Sequence, residues 1–174
     1  IICWGAPCAD PSAKFEEETM KLQDLPKPTT PDCVLDHAGI VKVLPHRYPF
    51  LYVDRLLEFE EGKRAVGLKN VSFGEPYFVG HFPSEPVMPG VIQIEAIAQV
   101  ACMLILMSFE GMDEKRPAFI GIDKARFRAG VRPGDSLRIE VDLLSFRRGM
   151  GTAQGRILVG DKVACEAEIL ATMV

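Results

Sequence analysis

Between Val91 and Met107 the only polar side chains are Gln93, Glu95 and Gln99, in a stretch otherwise made of aliphatic, alanine and sulfur-bearing residues. Pro89–Gly90 stands at its start, where proline is tolerated because its missing amide has no helical partner in any case. The stretch reads as a helix ending near Gly111 and about 30 Å long at ~1.5 Å per residue. A helix this apolar must be covered on nearly all sides, so the rest of the chain has to wrap it. Inside that covering, a carboxylate and an amide one turn apart are costly. Glu95 has to be hydrogen-bonded, paired or protonated. Fourteen residues earlier, His81 lies in a loop rich in glycine and proline that can fold back over the helix start. An imidazole and a carboxyl converging on a dry cavity form an acid/base pair.

The flanking segments supply the cover. Asp32 is a candidate cap for a first helix running to about Val43, with Pro45 ending it. Phe50–Phe59 and Lys63–Ser72 read as two strands around Glu60-Glu61-Gly62. Gly74, Pro76, Gly80, Pro83 and Pro86 then exclude any long regular element before the central helix. After it, strands are expected at Ala118–Phe127, Ser136–Phe146, Thr152–Val159 and Lys162–Thr172. Ser136–Phe146 alternates most clearly, with Leu137, Ile139, Val141 and Leu143 on one face. Short connections imply antiparallel pairing. The fold class is therefore α+β, a curved antiparallel sheet wrapped around a long central apolar helix. Ala96, Ala98 and Ala101 on that helix are expected to let the sheet approach.

The 174 residues, 48% of them hydrophobic, suit one soluble domain spanning 34–174 plus a poorly ordered N-terminal extension, 1–33, with a helical turn near Lys14–Leu22. A net charge of -4 argues against nucleic acid as the main partner. Glu95 and the Pro89–Gly90 start argue against a membrane span. The five cysteines form no CxxC pair. Cys102 and Cys165 fall at apolar positions, as reduced core residues do. No signal peptide is visible, and the chain begins at Ile1 without methionine, which suggests a processed or truncated form.

Four motifs, LPHRYPFLYVDR (Leu44–Arg55), GHFPSEPVMPGV (Gly80–Val91), EAIAQ (Glu95–Gln99) and GIDKARFRAGVRPGD (Gly121–Asp135), together resemble the hot-dog-fold β-hydroxyacyl-acyl-carrier-protein dehydratases of type II fatty acid synthesis, the FabZ type. The likeness runs from about residue 34 to the C-terminus. It departs from the family pattern at Ala129-Gly130, where a basic residue and proline are usual. The resemblance implies His81 and Glu95 as catalytic residues, the Gly90 amide as donor to the thioester oxygen, and Gln99 as the group that orients Glu95. Glu95, where the isomerising relatives carry aspartate, favours plain dehydration. It also implies a homodimer with two composite sites, His81 of one subunit facing Glu95 of the other, usually assembled into a hexamer as a trimer of dimers. The compartment is expected to be the plastid stroma if the chain is a processed precursor, and otherwise the bacterial cytoplasm.

The chemistry suits these residues. Neutral imidazole can take the C2 proton of a 3-hydroxyacyl thioester. A buried Glu95, its acidity weakened, can donate a proton to the departing hydroxyl; a mechanism in which His81 makes both transfers while Glu95 holds the hydroxyl fits equally well. The helix N-terminus at Gly90 faces the developing enolate charge. Phe82, Val87, Met88, Ile92, Ile97 and Phe119 are candidates to line an acyl tunnel. No metal, nucleotide or flavin motif is present, and the reaction requires no cofactor. Lys124, Arg126, Arg128 and Arg132, with Arg147 and Arg148 at a later turn, form a candidate patch for the acidic acyl-carrier partner. His46 and Arg47 are expected to have a structural role at the end of the first helix. The rivals are a thioesterase of the same fold, directing water at the carbonyl, and a non-catalytic module that binds the carrier protein.

Overall fold

The computed structural model describes residues 25–29, 32–112 and 115–174. The expected helical turn near Lys14–Leu22 lies outside the described residues. Among the described residues, two helices and six strands follow one another as α1 (His37–Val43), β1 (Arg55–Glu60), β2 (Arg64–Asn70), α2 (Gly90–Ser108), β3 (Pro117–Phe127), β4 (Ser136–Arg147), β5 (Met150–Val159) and β6 (Lys162–Met173), with one 3-10 turn at Pro76–Val79. The strands form a single sheet in the order β1-β2-β4-β5-β6-β3, antiparallel at every pairing. This is the hot-dog arrangement, and α2 is its filling.

Two tight hairpins join β4, β5 and β6, three neighbouring strands of the sheet. Arg148 and Gly149 both take positive φ between β4 and β5, as a two-residue loop matched to strand twist requires, and Gly160 does so between β5 and β6. The sheet faces α2 with Leu137, Ile139 and Val141 of β4, Ala153 and Ile157 of β5, and Cys165, Ala167 and Ile169 of β6, all buried. The close approach comes from strand glycines as well as helix alanines. A Cβ on Gly67 of β2 would lie 2.5 Å from Val100 Cγ2, and one on Gly155 of β5 would lie 2.0 Å from Ile97 Cγ2. Each missing methyl group is the socket for a helix side chain. Among the described residues, α2 is the one helix long and apolar enough to cross a membrane; it lies instead in the core, where Ala96, Ile97, Val100, Met103 and Leu104 are fully enclosed.

Two boundaries differ from expectation. The first helix is capped by Asp36, not Asp32: Asp36 Oδ1 accepts from the Gly39 amide at 3.2 Å. Residues 34–35 are drawn off to the sheet, the Val34 and Leu35 amides both donating to the Leu56 carbonyl. Asp36 Oδ2 meanwhile accepts from the Thr29 amide and hydroxyl at 3.0 and 3.1 Å, and Leu25 packs against the core, which ties residues 25–29 to the domain. Residues 50–53 are the second difference. They form no strand, because a side chain of α2 has taken their backbone groups.

Candidate active site

That side chain is Gln99. Its Oε1 accepts from the Tyr52 amide at 2.8 Å, and its Nε2 donates to the Phe50 carbonyl and to Glu95 Oε1, each at 2.9 Å. The helix spacing of four puts Gln99 directly beside Glu95, so one amide both clamps the 50–52 segment and orients the carboxyl. Glu95 is held above the ordinary carboxylate range by burial, with the Gln99 hydrogen bond opposing in part. It stands at one end of an apolar cavity of about 350 Å³ that also touches His46, Phe50, Ala98, Cys102, Ile105, Phe119, Ile169 and Met173.

His81 sits on a loop that closes on itself. Its backbone amide bonds to the Tyr77 carbonyl and its carbonyl accepts from the Val87 amide, at 2.9 and 3.0 Å. Its Nδ1 lies 2.7 Å from the Val87 carbonyl. A carbonyl oxygen can only accept, so Nδ1 carries a hydrogen, and in the neutral form of the ring the lone pair is on Nε2, where it can take a proton. The Phe82 ring stacks on the imidazole with centroids 4.0 Å apart. His81 lines a second cavity with Val87, Met88, Gly90, Val91, Gln93, Phe127 and Arg128. Within one chain, then, His81 and Gly90 share a cavity and Glu95 heads another.

A half-buried carboxyl, a histidine whose Nδ1 donates to a carbonyl and the N-terminal end of α2 are thus arranged around a sheet-wrapped helix. The FabA-like domain matches residues 44–168, most of the chain and all of these groups. The chain belongs to the FabA-like family. Among relatives of this FabA-like chain, a 3-hydroxyacyl-[acyl-carrier-protein] dehydratase FabZ of Desulforamulus reducens is 56% identical over 137 residues, covering 79% of this chain and 96% of the relative. The protein of the same name in Alkaliphilus metalliredigens is 52% identical over 135 residues, covering 78% and 91%. In fold, the chain is similar to the dehydratase heterocomplex ApeI:P of Xenorhabdus doucetiae, with a TM-score of 0.65 and 18% identity over 78% of this chain and 90% of that one.

The remaining candidates of this FabA-like chain fall in different places. Val87 and Met88 line the His81 cavity, and Phe119 lines the Glu95 cavity. Phe82 is exposed beside His81, and Ile92 is half-buried against the core. Ile97 is fully buried with its side chain lodged on Gly155, so it faces the sheet and lines neither of these two cavities. At Gly90 a Cβ would lie 2.6 Å from the Phe127 ring, so the packing of that ring leaves no room for a side chain.

The basic run is less basic in three dimensions than along the chain. Lys124 pairs with Glu168 at 2.8 Å, Arg128 with Glu166 and Arg132 with Glu85, while Arg126 donates to the neighbouring Ala125 carbonyl. The acids come from β6 and the His81 loop, which sequence distance conceals. Arg147 and Arg148 make no ion pair among the described residues.

His46 is the residue that reading the sequence undervalued. Its Nε2 lies 3.6 Å from Glu95 Oε1, and its buried Nδ1 has no hydrogen-bond partner among the described residues. Burial, with the Arg47 charge beside it, lowers its pKa, so the ring is favoured neutral. Arg47 fixes the turn by donating to the carbonyls of Val41, Leu44 and His46 at 2.7 to 2.9 Å. The available signal was the position of His46 in a motif, but its contact with Glu95 spans 49 residues of chain.

Proposed function

We propose that this chain dehydrates (3R)-3-hydroxyacyl-acyl-carrier-protein to the trans-2-enoyl product in the elongation cycle of type II fatty acid synthesis, with His81 as base and Glu95 as acid. Family membership, with relatives at 52–56% identity named 3-hydroxyacyl-[acyl-carrier-protein] dehydratase, makes it an enzyme of the hydro-lyase class. The observation that carries the assignment of roles is the Glu95 carboxyl, raised by burial and oriented by Gln99 at the head of an apolar cavity. His81 Nε2 removes a C2 proton, the electrons form the C2–C3 double bond, and the Glu95 proton leaves with the hydroxyl as water. The Gly90 amide, at the positive end of α2, stabilises the thioester oxygen as it gains charge. An exchange of protons with solvent then resets both groups.

The separation of His81 and Glu95 into two cavities supports a composite site in a homodimer, each chain supplying half. Phe82, Val91 and Phe127, each about half exposed or more around the His81 cavity, are apolar surface that a second copy would cover. A trimer of such dimers is the assembly we assign. The carrier protein is acidic, and Arg147 and Arg148, with Lys124, Arg126, Arg128 and Arg132 in a lesser role because of their acidic partners, are assigned to steering it. The relatives described above are bacterial, which supports a bacterial cytoplasm rather than the plastid stroma.

His81→Ala and Glu95→Gln, assayed separately on a carrier-linked 3-hydroxyacyl substrate, test the reading. Each is expected to lower turnover by at least about a hundredfold while carrier-protein binding survives. Enoyl absorbance should appear in the native enzyme without release of free thiol. Full activity in both variants, or thiol release in place of enoyl product, overturns the proposal.

A further inference from the structure

His46 reaches Glu95 from outside the central helix, on a turn between α1 and β1 that is held at both ends. Arg47 pins the start of the turn by donating to the Val41, Leu44 and His46 carbonyls. The Phe50 amide closes it on the Arg47 carbonyl at 2.7 Å, and the Phe50 carbonyl accepts from Gln99 Nε2 at 2.9 Å. The Phe50 ring lies 24° from parallel with the imidazole. One amide group of Gln99 thus holds both Glu95 and the far end of the His46 turn.

Two nitrogens converge on a single oxygen of the carboxyl. Gln99 Nε2 donates to Glu95 Oε1 at 2.9 Å, and His46 Nε2 lies 3.6 Å from the same atom. The second distance is longer than a formed hydrogen bond, and a reacting complex is where such a gap closes. Oε2 has no protein partner among the described residues. His46 Nδ1 is likewise buried without one. An orphaned buried N–H is rarer than an orphaned acceptor, so the ring's hydrogen belongs on Nε2, facing Glu95. His81 has the opposite arrangement, with its hydrogen on Nδ1.

Burial and the Arg47 charge favour the neutral His46 ring. The other titratable neighbours of the carboxyl keep their protons: burial pushes the Cys102 thiol up to about 12, and burial together with Glu75 and Glu95 raises the Tyr52 hydroxyl. The cavity wall opposite α2, formed by Phe119, Ile169, Ala171 and Met173, has no titratable group.

We propose that His46 is a positioning residue for Glu95: as a neutral Nε2–H donor it joins Gln99 in occupying Oε1, which confines the acid proton to Oε2, the oxygen left to meet the departing hydroxyl. The proposal rests on the dehydratase reading above and deepens it. The C2 proton goes to His81, the C3–O bond breaks, and the Oε2 proton leaves with the hydroxyl as water. The negative charge that spreads onto Oε1 then meets two N–H groups already in place. His46 itself neither gives nor takes a proton.

The test reads tautomers and turnover on the full chain. The sequence has three histidines, so 15N-labelled imidazoles, assigned by substituting each in turn, resolve singly in nuclear magnetic resonance spectra at about pH 8, above the ordinary imidazole range. His46 is expected with its hydrogen on Nε2. His46→Phe keeps a ring and removes both nitrogens. On a carrier-linked 3-hydroxyacyl substrate its plateau kcat should fall at least about tenfold with KM within about threefold of native. Its alkaline limb should move to higher pH, because a carboxylate that loses an N–H donor holds its proton more tightly. His46→Gln returns an N–H to that place without a titrating ring, and should bring kcat to within about threefold of native and the limb back to its native pH. A hydrogen on His46 Nδ1 overturns the proposal, as does a His46→Phe plateau within about twofold of native, a loss with an unmoved limb, or a glutamine variant as deficient as the phenylalanine one. The tautomer is read on the native chain, so it decides even where a variant folds poorly. Any of these results in an active native enzyme leaves the dehydratase reading intact, whereas a native chain that forms no enoyl product overturns that reading and the role of His46 with it.

Discussion

Replacing Gln99 by methionine keeps the length and flexibility of the side chain and removes three hydrogen bonds. Gln99 is 1% exposed. The Tyr52 amide it serves at 2.8 Å is buried, and a buried donor left without a partner costs about 1–3 kcal/mol. The Phe50 carbonyl is only part-buried, and water can replace some of its bond, so about 1 kcal/mol is added. The expected loss is about 2–4 kcal/mol in urea-induced unfolding. Gln93, on the same helix and 2% exposed, is the internal control. Among the described residues its buried Oε1 has no partner and its Nε2 makes a long 3.5 Å contact to the Met88 carbonyl, so Gln93→Met should shift stability by less than about 1 kcal/mol. The two variants also separate by pH. Gln99 lowers the Glu95 pKa against burial, and its loss lets that pKa climb further. A carboxyl raised in the folded state stabilises it least when ionised, so the deficit of Gln99→Met should widen as pH rises past the native Glu95 value toward the higher value of the variant. The alkaline limb of kcat/KM, where the acid form of Glu95 is lost, should move to higher pH. Equal stability losses in the two variants, or a loss under about 1 kcal/mol for Gln99→Met, would refute the assignment of Gln99 as the clamp of this site.

Gly155→Ala places a methyl group 2.0 Å from Ile97 Cγ2, and overpacking of this kind costs about 1–3 kcal/mol; adding Ile97→Val should recover part of it, which a double-mutant cycle by urea unfolding would read. Gly90→Ala drives a Cβ into the Phe127 ring at 2.6 Å, so turnover should fall and recover at least about tenfold when Phe127→Ala relieves the crowding. Burial alone would raise Glu140, yet hydrogen bonds from Arg138, Arg156 and Arg64 hold it at about 2. Its contribution is therefore present above pH 4.5 and lost as pH falls toward 2, and Glu140→Gln should flatten the acid side of the stability curve seen by circular dichroism.

Much of this was legible because local chemistry and global packing agree. The Pro89–Gly90 start and unbroken apolar run of α2, and the alternation of β4, are features each residue carries by itself. Errors arose where a distant group intervened. Residues 50–53 have strand-like composition, but Gln99 satisfies the Phe50 and Tyr52 backbone in place of a neighbouring strand. Asp32 and Asp36 are equally good caps by type, and the pairing of Leu35 with Leu56 decides between them. His81 and Glu95 stood out through motif and burial pattern. The nearness of His46 to Glu95, and of Glu166 and Glu168 to the basic run, depends on strand register and loop closure, which no local window contains.

In the composite dimer proposed above, with His81 and Glu95 drawn from different cavities, each chain is a donor of mismatched halves. In a composite dimer formed from one His81→Ala chain and one Glu95→Gln chain, both lesions gather in one centre and the other is assembled wholly from native groups. Two dead proteins, unfolded and refolded together, would thus regenerate working enzyme in the hybrid fraction, at one intact centre per hybrid pair.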